Sequence, residues 1–233
     1  MASKRDILNV THHRQYPLPA GAWQHYQEWH GSIMLHWKTD TDVLSKHIPD
    51  GLVLDNYNGS AYVSLVAFSV CKLRPRLLPP LPLLSNFHEV NLRTYVIRDR
   101  KPGIYFLSLE AQKLFPALFA RLMTGLPYKK SVIKRDGNHY LAQGMETALE
   151  VSYTKKGLLD KDDLDYWLTE RHCLYEKQAN ELYRLDIHHK PWKLEHVDLD
   201  IKKLHYPYCE GEPIRTHYSD KIRVLLWGKE FLF

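Results

Sequence analysis

The sequence predicts an α+β protein that is mainly antiparallel β, with a closed or nearly closed sheet and a few short flanking helices. Three observations carry that prediction. Strand-length apolar runs recur from Trp23 to the C-terminal end, and the helical patterns between them are short. Asn58-Gly59 separates Leu52 to Tyr57 from Ser60 to Val70, and this dipeptide supplies the positive φ angles of a type I′ hairpin turn. Finally, Phe87 to Ile97 alternates a polar set between aromatic ends with an apolar set, as a strand lining a barrel interior would. With 233 residues, 44% of them apolar, the chain can bury one continuous core, so a single domain over 23–233 is expected behind an N-terminal arm over 1–22.

In chain order, Met1 to Ala22 is polar, contains Pro17 and Pro19, and reads as a surface arm. Trp23 to Trp37 reads as a turn of helix or coil leading into a buried strand. Thr39 to Asp42 offers several N-cap side chains for a short helix that stops before Pro49. After the hairpin, Cys71 to Ser85 contains four prolines, which remove donors and fix φ, so an extended loop is expected, packed as an apolar flap over the domain. Phe87 to Ile97 and Ile104 to Ala111 read as strands. Phe115 to Thr124 reads as a helix, with Pro116 in its first turn and Gly125 at its C′ position. Ser131 to Arg135, His139 to Met145 and Ala148 to Thr154 follow as strands, with a turn at Asp136-Gly137-Asn138. A helix over Asp160 to Leu168 has an acidic first turn. Strands over Arg171 to Glu176, Leu182 to His189, Leu194 to Ile201 and Ile222 to Gly228 complete the chain.

A formal charge of +5 is spread among 27 acidic residues with no basic run, which argues against a nucleic-acid footprint. The three cysteines have no CxxC spacing and read as reduced core thiols. No signal-like or 18-residue apolar run occurs, so a cytoplasmic protein with no membrane partner is expected. A small-molecule ligand or substrate is the expected partner, and a homo-oligomer is left open.

Phe87 to Lys130 holds the polar residues that folding alone does not require. Glu89, Asn91 and Arg93 share one strand face with Phe87 and Tyr95. In a cavity, Glu89 and Arg93 are expected to pair until a ligand enters, since charges about 4 Å apart attract by roughly 4 kcal/mol at an effective dielectric near 20. The next strand places Ser108 and Glu110 on one side with Ile104 and Phe106, and Arg121 is the one strong charge of the expected 115–124 helix. Lys129 and Lys130 are either solvated surface lysines or amines activated by burial and a neighbouring cation for Schiff-base chemistry.

The segments HEVNLRTYV, GIYFLSLEA, ARLMTGLPY, LTERHCLY and IHHKPW, in this order and spacing, resemble the YqjF-like family of bacterial proteins within the acetoacetate decarboxylase-like superfamily. The resemblance runs from about Trp23 to Trp227. It implies a closed β-barrel of acetoacetate decarboxylase-like type with short flanking helices and an internal cavity, and it matches Glu89 to the cavity glutamate. The decarboxylase lysines follow a Gly-x-Pro step, which here is Gly125-Leu126-Pro127. Tyr128 then stands where the Schiff-base lysine would be, and Lys129 where the lysine that perturbs it would be.

Three functional readings follow. The first is a barrel that binds a small polar or anionic organic molecule through Glu89, Asn91, Arg93, Ser108, Glu110, Arg121 and Tyr128. The second is a Schiff-base lyase acting on a keto acid through Lys129 or Lys130. The third is an interaction module that displays Arg76 to Pro82, which fits the RxxPxxP pattern of SH3-docking peptides. No cofactor and no metal are expected. Glu170-Arg171 reads as a structural ion pair. The adjacent His188 and His189 point to opposite faces, and spacing selects no third ligand between His172 and Glu195, so they read as structural.

Overall fold

The computed structural model describes residues 4–81, 84–112 and 125–232. In chain order the elements are α1 (Lys4–Leu8), β1 (His25–Thr39), α2 (Thr41–Ser45), β2 (Val53–Leu54), β3 (Ala61–Pro75), β4 (Phe87–Arg98), β5 (Lys101–Ala111), β6 (Lys129–Lys130), β7 (Val132–Asp136), β8 (His139–Gln143), β9 (Ala148–Leu158), α3 (Asp163–Thr169), β10 (Cys173–Gln178), β11 (Glu181–His189), β12 (Glu195–His205) and β13 (Arg215–Phe231). The expected helix over Phe115 to Thr124, with Arg121, lies outside the described residues.

Seven strands close a barrel in the order β1-β3-β4-β5-β10-β11-β13, because β13 pairs back onto β1 from His25↔Leu226 to His36↔Arg215. From β13 the sheet continues through β12, β9, β8 and β7, and this extension folds over the outside of the barrel wall. Ile33 and Leu35 of β1, Val63 and Leu65 of β3, and Val90 and Leu92 of β4 pack outward against Ile133, Tyr140, Leu149 and Val151 of the extension. Met34, Val66, Tyr95 and Val224 face inward. These wall strands are buried on both faces, so polar alternation in their sequences is weak.

Several expectations are corrected. Of the two alternatives before β1, Trp23 and Gln24 are coil rather than a helical turn, and the strand starts at His25, pairing on both sides with β3 and β13. Its length is accommodated by a bulge at Gly31, whose φ of +58° suits glycine. Asn58 and Gly59 do take positive φ, but the turn closes only a Tyr57↔Ser60 bridge, and β2 pairs with β4 instead of β3. Asp55 and Tyr57 are drawn away to Arg171 and Trp167, respectively. β3 runs through to Pro75 at the end of its pairing with β1, so the loop begins only after that proline. The loop is no packed flap: Leu77 is 90% exposed, and Leu78 and Leu81 are exposed too. α3 starts at Asp163, capped by Asp162 in a reciprocal capping box with Asp165.

The barrel is not wholly antiparallel. β5 and β10 pair in parallel at Leu174↔Ile104 and Tyr175↔Tyr105. Gly103 permits that approach, since a Cβ there would meet the Cys173 carbonyl at 2.7 Å. Towards α3 the interior carries a buried polar chain. His217 Nε2 lies 2.9 Å from Asp165, its Nδ1 lies 3.1 Å from His36 Nε2, and His36 Nδ1 lies 2.6 Å from Ser64 Oγ. Ser64 meets the Tyr95 hydroxyl, which donates to the Leu168 carbonyl at 3.0 Å. Burial holds His36 well below the usual imidazole range, so it stays neutral.

Candidate functional site

The inner face of β4 presents Phe87, Glu89, Asn91, Arg93 and Tyr95 to the barrel interior, as period-two alternation requires. Glu89, Asn91 and Arg93 are all buried and line a cavity of about 50 Å³. β1 adds Gln27, Trp29 and Ser32, and the segment before β6 adds Leu126 and Tyr128. Trp29, Phe68, Phe106 and Trp192 give it aromatic walls, with Trp29 stacked on Trp192 at 5.8 Å between ring centres. The cavity is mostly apolar with a few converging polar groups, which is the usual composition of a small-molecule site. A larger depression of about 1340 Å³ beside β12 and the 205–213 loop is open to solvent. It lacks the enclosure that strengthens polar interactions.

Glu89 accepts one hydrogen bond per oxygen: Asn91 Nδ2 donates at 3.1 Å and the Tyr128 hydroxyl at 2.9 Å. Burial outweighs both bonds and pushes the carboxyl up to about 7. Burial and the neighbouring carboxylate push the Tyr128 phenol well above its ordinary range, so it remains a donor. The expected Glu89–Arg93 ion pair does not form. Arg93 has no ion pair among the described residues, and its buried Nε has no hydrogen-bond partner. The Asn91 Oδ1 atom is likewise buried without a partner. The bonds from Asn91 and Tyr128 occupy both carboxylate oxygens of Glu89.

The other expected residues divide by position. A bulge between Leu92 and Arg93 in the β4–β5 register, with Leu107 as the extra residue, switches the face of β5. Ile104 and Phe106 therefore line the cavity, whereas Ser108 and Glu110 point out of the barrel. Glu110 there accepts hydrogen bonds from Ser131 and Thr147. Lys129 and Lys130 are exposed on β6, which pairs with β5, and neither lines the cavity. The enclosure that a Schiff-base amine requires is absent at both. Tyr128 occupies the inward position instead. Glu170 and Arg171 do not pair with each other: Glu170 pairs with Lys161 at 2.6 Å, and Arg171 pairs with Asp55 and stacks on Trp167.

A family model, DUF2071, described as an uncharacterised conserved protein, matches residues 26–223. The chain is also 38% identical over 226 residues to protein YqjF of Bacillus subtilis (strain 168), covering 90% of this chain and 93% of that one. The chain belongs to the DUF2071 family. The fold of this DUF2071 protein is similar to that of an acetoacetate decarboxylase-like enzyme from Sphingomonas wittichii RW1, with a TM-score of 0.64 at 14% identity, covering 96% of this chain and 98% of that one. It is similar too to the enduracididine biosynthesis enzyme MppR complexed with pyruvate, with a TM-score of 0.60 at 12% identity over 94% of this chain and 93% of that one. At such identities the likeness shows a shared acetoacetate decarboxylase-like barrel and nothing finer.

In the DUF2071 chain one group escaped the sequence reading and another was seen only in part. Gln27, Trp29 and Ser32 reach the cavity only because β1 begins early, and the Gly31 bulge was the available signal. His13, Glu170, His172, His188 and His189 converge on one buried cluster beside Trp192. Spacing offered His172 beside His188 and His189 without selecting it, and gave no sign that His13 and Glu170 join them. Among the described residues no helix is long and apolar enough to cross a membrane.

Proposed function

We propose that this DUF2071 protein binds a short-chain organic anion, a small carboxylate or keto acid, inside its barrel. In this reading Arg93 is the counter-charge, and Glu89 is a group that exchanges a proton with the ligand. The observation that carries the proposal is the buried guanidinium of Arg93, which has no counter-ion among the described residues and sits in an aromatic-walled cavity. A buried charge without a partner is costly, and a ligand carboxylate would relieve it with a bidentate pair. The cavity of about 50 Å³ holds roughly three or four waters, which restricts the ligand to a small acid. MppR, a structurally similar protein, is known complexed with pyruvate, a molecule of that class. A carboxyl near 7 suits general acid–base work at neutral pH.

Calorimetric titration with pyruvate, acetoacetate and longer acids tests this reading. The short acids are expected to bind, with affinity falling as the pH rises through about 7 and Glu89 ionises. Arg93→Gln should weaken binding by about 10- to 100-fold, the loss of one charge-assisted contact. Borohydride treatment with the same acids should label neither Lys129 nor Lys130, whose side chains are exposed. Equal binding by Arg93→Gln and the natural protein, or no binding by any acid, would sink the proposal. The reading of Arg76 to Pro82 as a docking peptide keeps the exposure it needs at Leu77 and Leu78, but Arg76 lies over the Trp23 ring at 5.3 Å and its amide donates to the Gln24 carbonyl. Its recognition arginine is thus already engaged.

A further inference from the structure

We infer that the histidine cluster between the N-terminal segment and the barrel is a binding site for one divalent transition-metal ion of the zinc or iron class, with His13 as the ligand that the N-terminal segment contributes. Two sets of three possible ligand atoms share His13: His13, Glu170 and His189, and His13, His172 and His188, each set lying within 4.8 Å. The residues come from three places in the chain: the 9–24 segment, the 170–172 link between α3 and β10, and the end of β11. Such convergence has no role in the proposed anion site. The cluster is separated from the cavity by Trp192, whose ring lies 5.5 Å from His189.

The hydrogen bonding points to a missing partner. His172 is 1% exposed, and neither of its ring nitrogens has a partner. His13 Nε2 lies 2.7 Å from the His189 carbonyl, so it donates there and leaves Nδ1 as an acceptor, and that atom is buried and unpartnered. Glu170 uses Oε1 for Lys161 and the Trp192 amide, while Oε2 is unpartnered and lies 4.0 Å from both His172 Nε2 and His189 Nδ1. Buried polar atoms are rarely left without partners, and His13, Glu170 and His172 each carry at least one such atom here.

The chemistry suits an ion of this class. Imidazole and carboxylate together select zinc, iron and similar metals over magnesium or calcium, which prefer oxygen alone. Of the two sets, the one containing Glu170 is favoured, because its carboxylate offsets the charge of the ion. The other uses His188, whose Nδ1 already meets the Arg14 guanidinium at 3.1 Å and whose Nε2 donates to the Ile7 carbonyl, whereas His189 donates through Nδ1 to the Lys190 carbonyl at 2.8 Å and would ligate through Nε2. His172 stands beside this set, its Nε2 4.0 Å from Glu170 Oε2. Binding would draw the ligand atoms of that set, which lie within 4.8 Å of one another, to the about 3.3 Å separation around a tetrahedral ion. Bound there, the ion would clamp residues 7–16 to β11, next to the contacts made by His13 and Arg14.

The full chain, purified without chelator, should contain close to one equivalent of metal by elemental analysis. After stripping, cobalt(II) titration should give the visible bands of a histidine-ligated ion, and zinc(II) should raise the melting temperature and slow proteolysis of the N-terminal segment. His13→Gln lies on a half-buried surface position and is expected to fold, and it should weaken cobalt binding by about tenfold or more. The imidazole spectra of His172 should shift on metal addition in the natural protein. Absence of metal, of cobalt bands and of any melting shift would show that ordered waters fill the cluster instead. Equal affinity in His13→Gln would equally overturn the assignment. Neither result bears on anion binding at Arg93, which is titrated separately.

Discussion

Glu89 concentrates the chemistry of the interior in one side chain. Its ordinary carboxyl value of 4.5 is raised to about 7 by burial, so the folded protein holds a proton that the unfolded chain releases. The stability that this proton contributes is fully present below about 4.5 and is lost as the pH rises through about 7. Glu89→Gln should remove that slope. Between pH 5 and 8 the stability difference between the natural protein and the variant, from urea unfolding, should shift by up to about 3 kcal/mol, while the buried Glu176 carboxyl, also raised to about 7, titrates in both. A parallel decline in both proteins would show that Glu89 is not the titrating group. Glu89, Asn91 and Arg93 were legible in the sequence because period-two alternation survives along the whole of β4. Their relationship was not, since Asn91 and Tyr128 take the carboxylate that simple charge attraction assigns to Arg93.

At the scale of elements, β5 shows what local pattern leaves out. One bulged residue, Leu107, transfers Ser108 and Glu110 to the outer face while Ile104 and Phe106 remain inside. No residue in IYFLSLEA marks the bulge, which answers to the register demanded by β4. Gly103 on the same strand is the point where β10 comes alongside in parallel. Gly103→Ala should cost about 1–3 kcal/mol, since the added carbon meets a backbone carbonyl that cannot rotate away. Urea unfolding measures this, and a variant as stable as the natural protein would show that the two strands can separate without loss. The hairpin at Asn58-Gly59 is the converse case: turn chemistry was legible, but the partner of β2 was decided by Arg171 and Trp167.

For the molecule as a whole, the barrel wall works as a shared boundary between two apolar layers. Leu65 is fully buried between the barrel wall and the outer strands β7 to β9 and β12, and β13 belongs both to the barrel and to the edge on which β12 pairs. The two layers should therefore unfold together. Leu65→Ala is expected to lower stability by about 2–5 kcal/mol while tryptophan fluorescence and far-ultraviolet circular dichroism continue to report one coincident transition. Separate transitions would show that the outer strands are an independent unit.

The sequence by itself determined the class of fold, the strands that carry the interior, and the same-face placement of Glu89, Asn91 and Arg93, because apolar periodicity and turn residues act over a few positions. It also determined that Tyr128 follows the Gly-x-Pro step where a lysine would otherwise stand. Only the tertiary structure decided which charges meet. It left Arg93 without an ion pair among the described residues, turned Glu110 outward, exposed Lys129 and Lys130, and gathered His13, Glu170, His172 and His189 from distant segments. The physical reason is that pairing register and barrel closure fix side-chain positions through contacts far apart in the chain, and no local pattern of residues encodes those contacts.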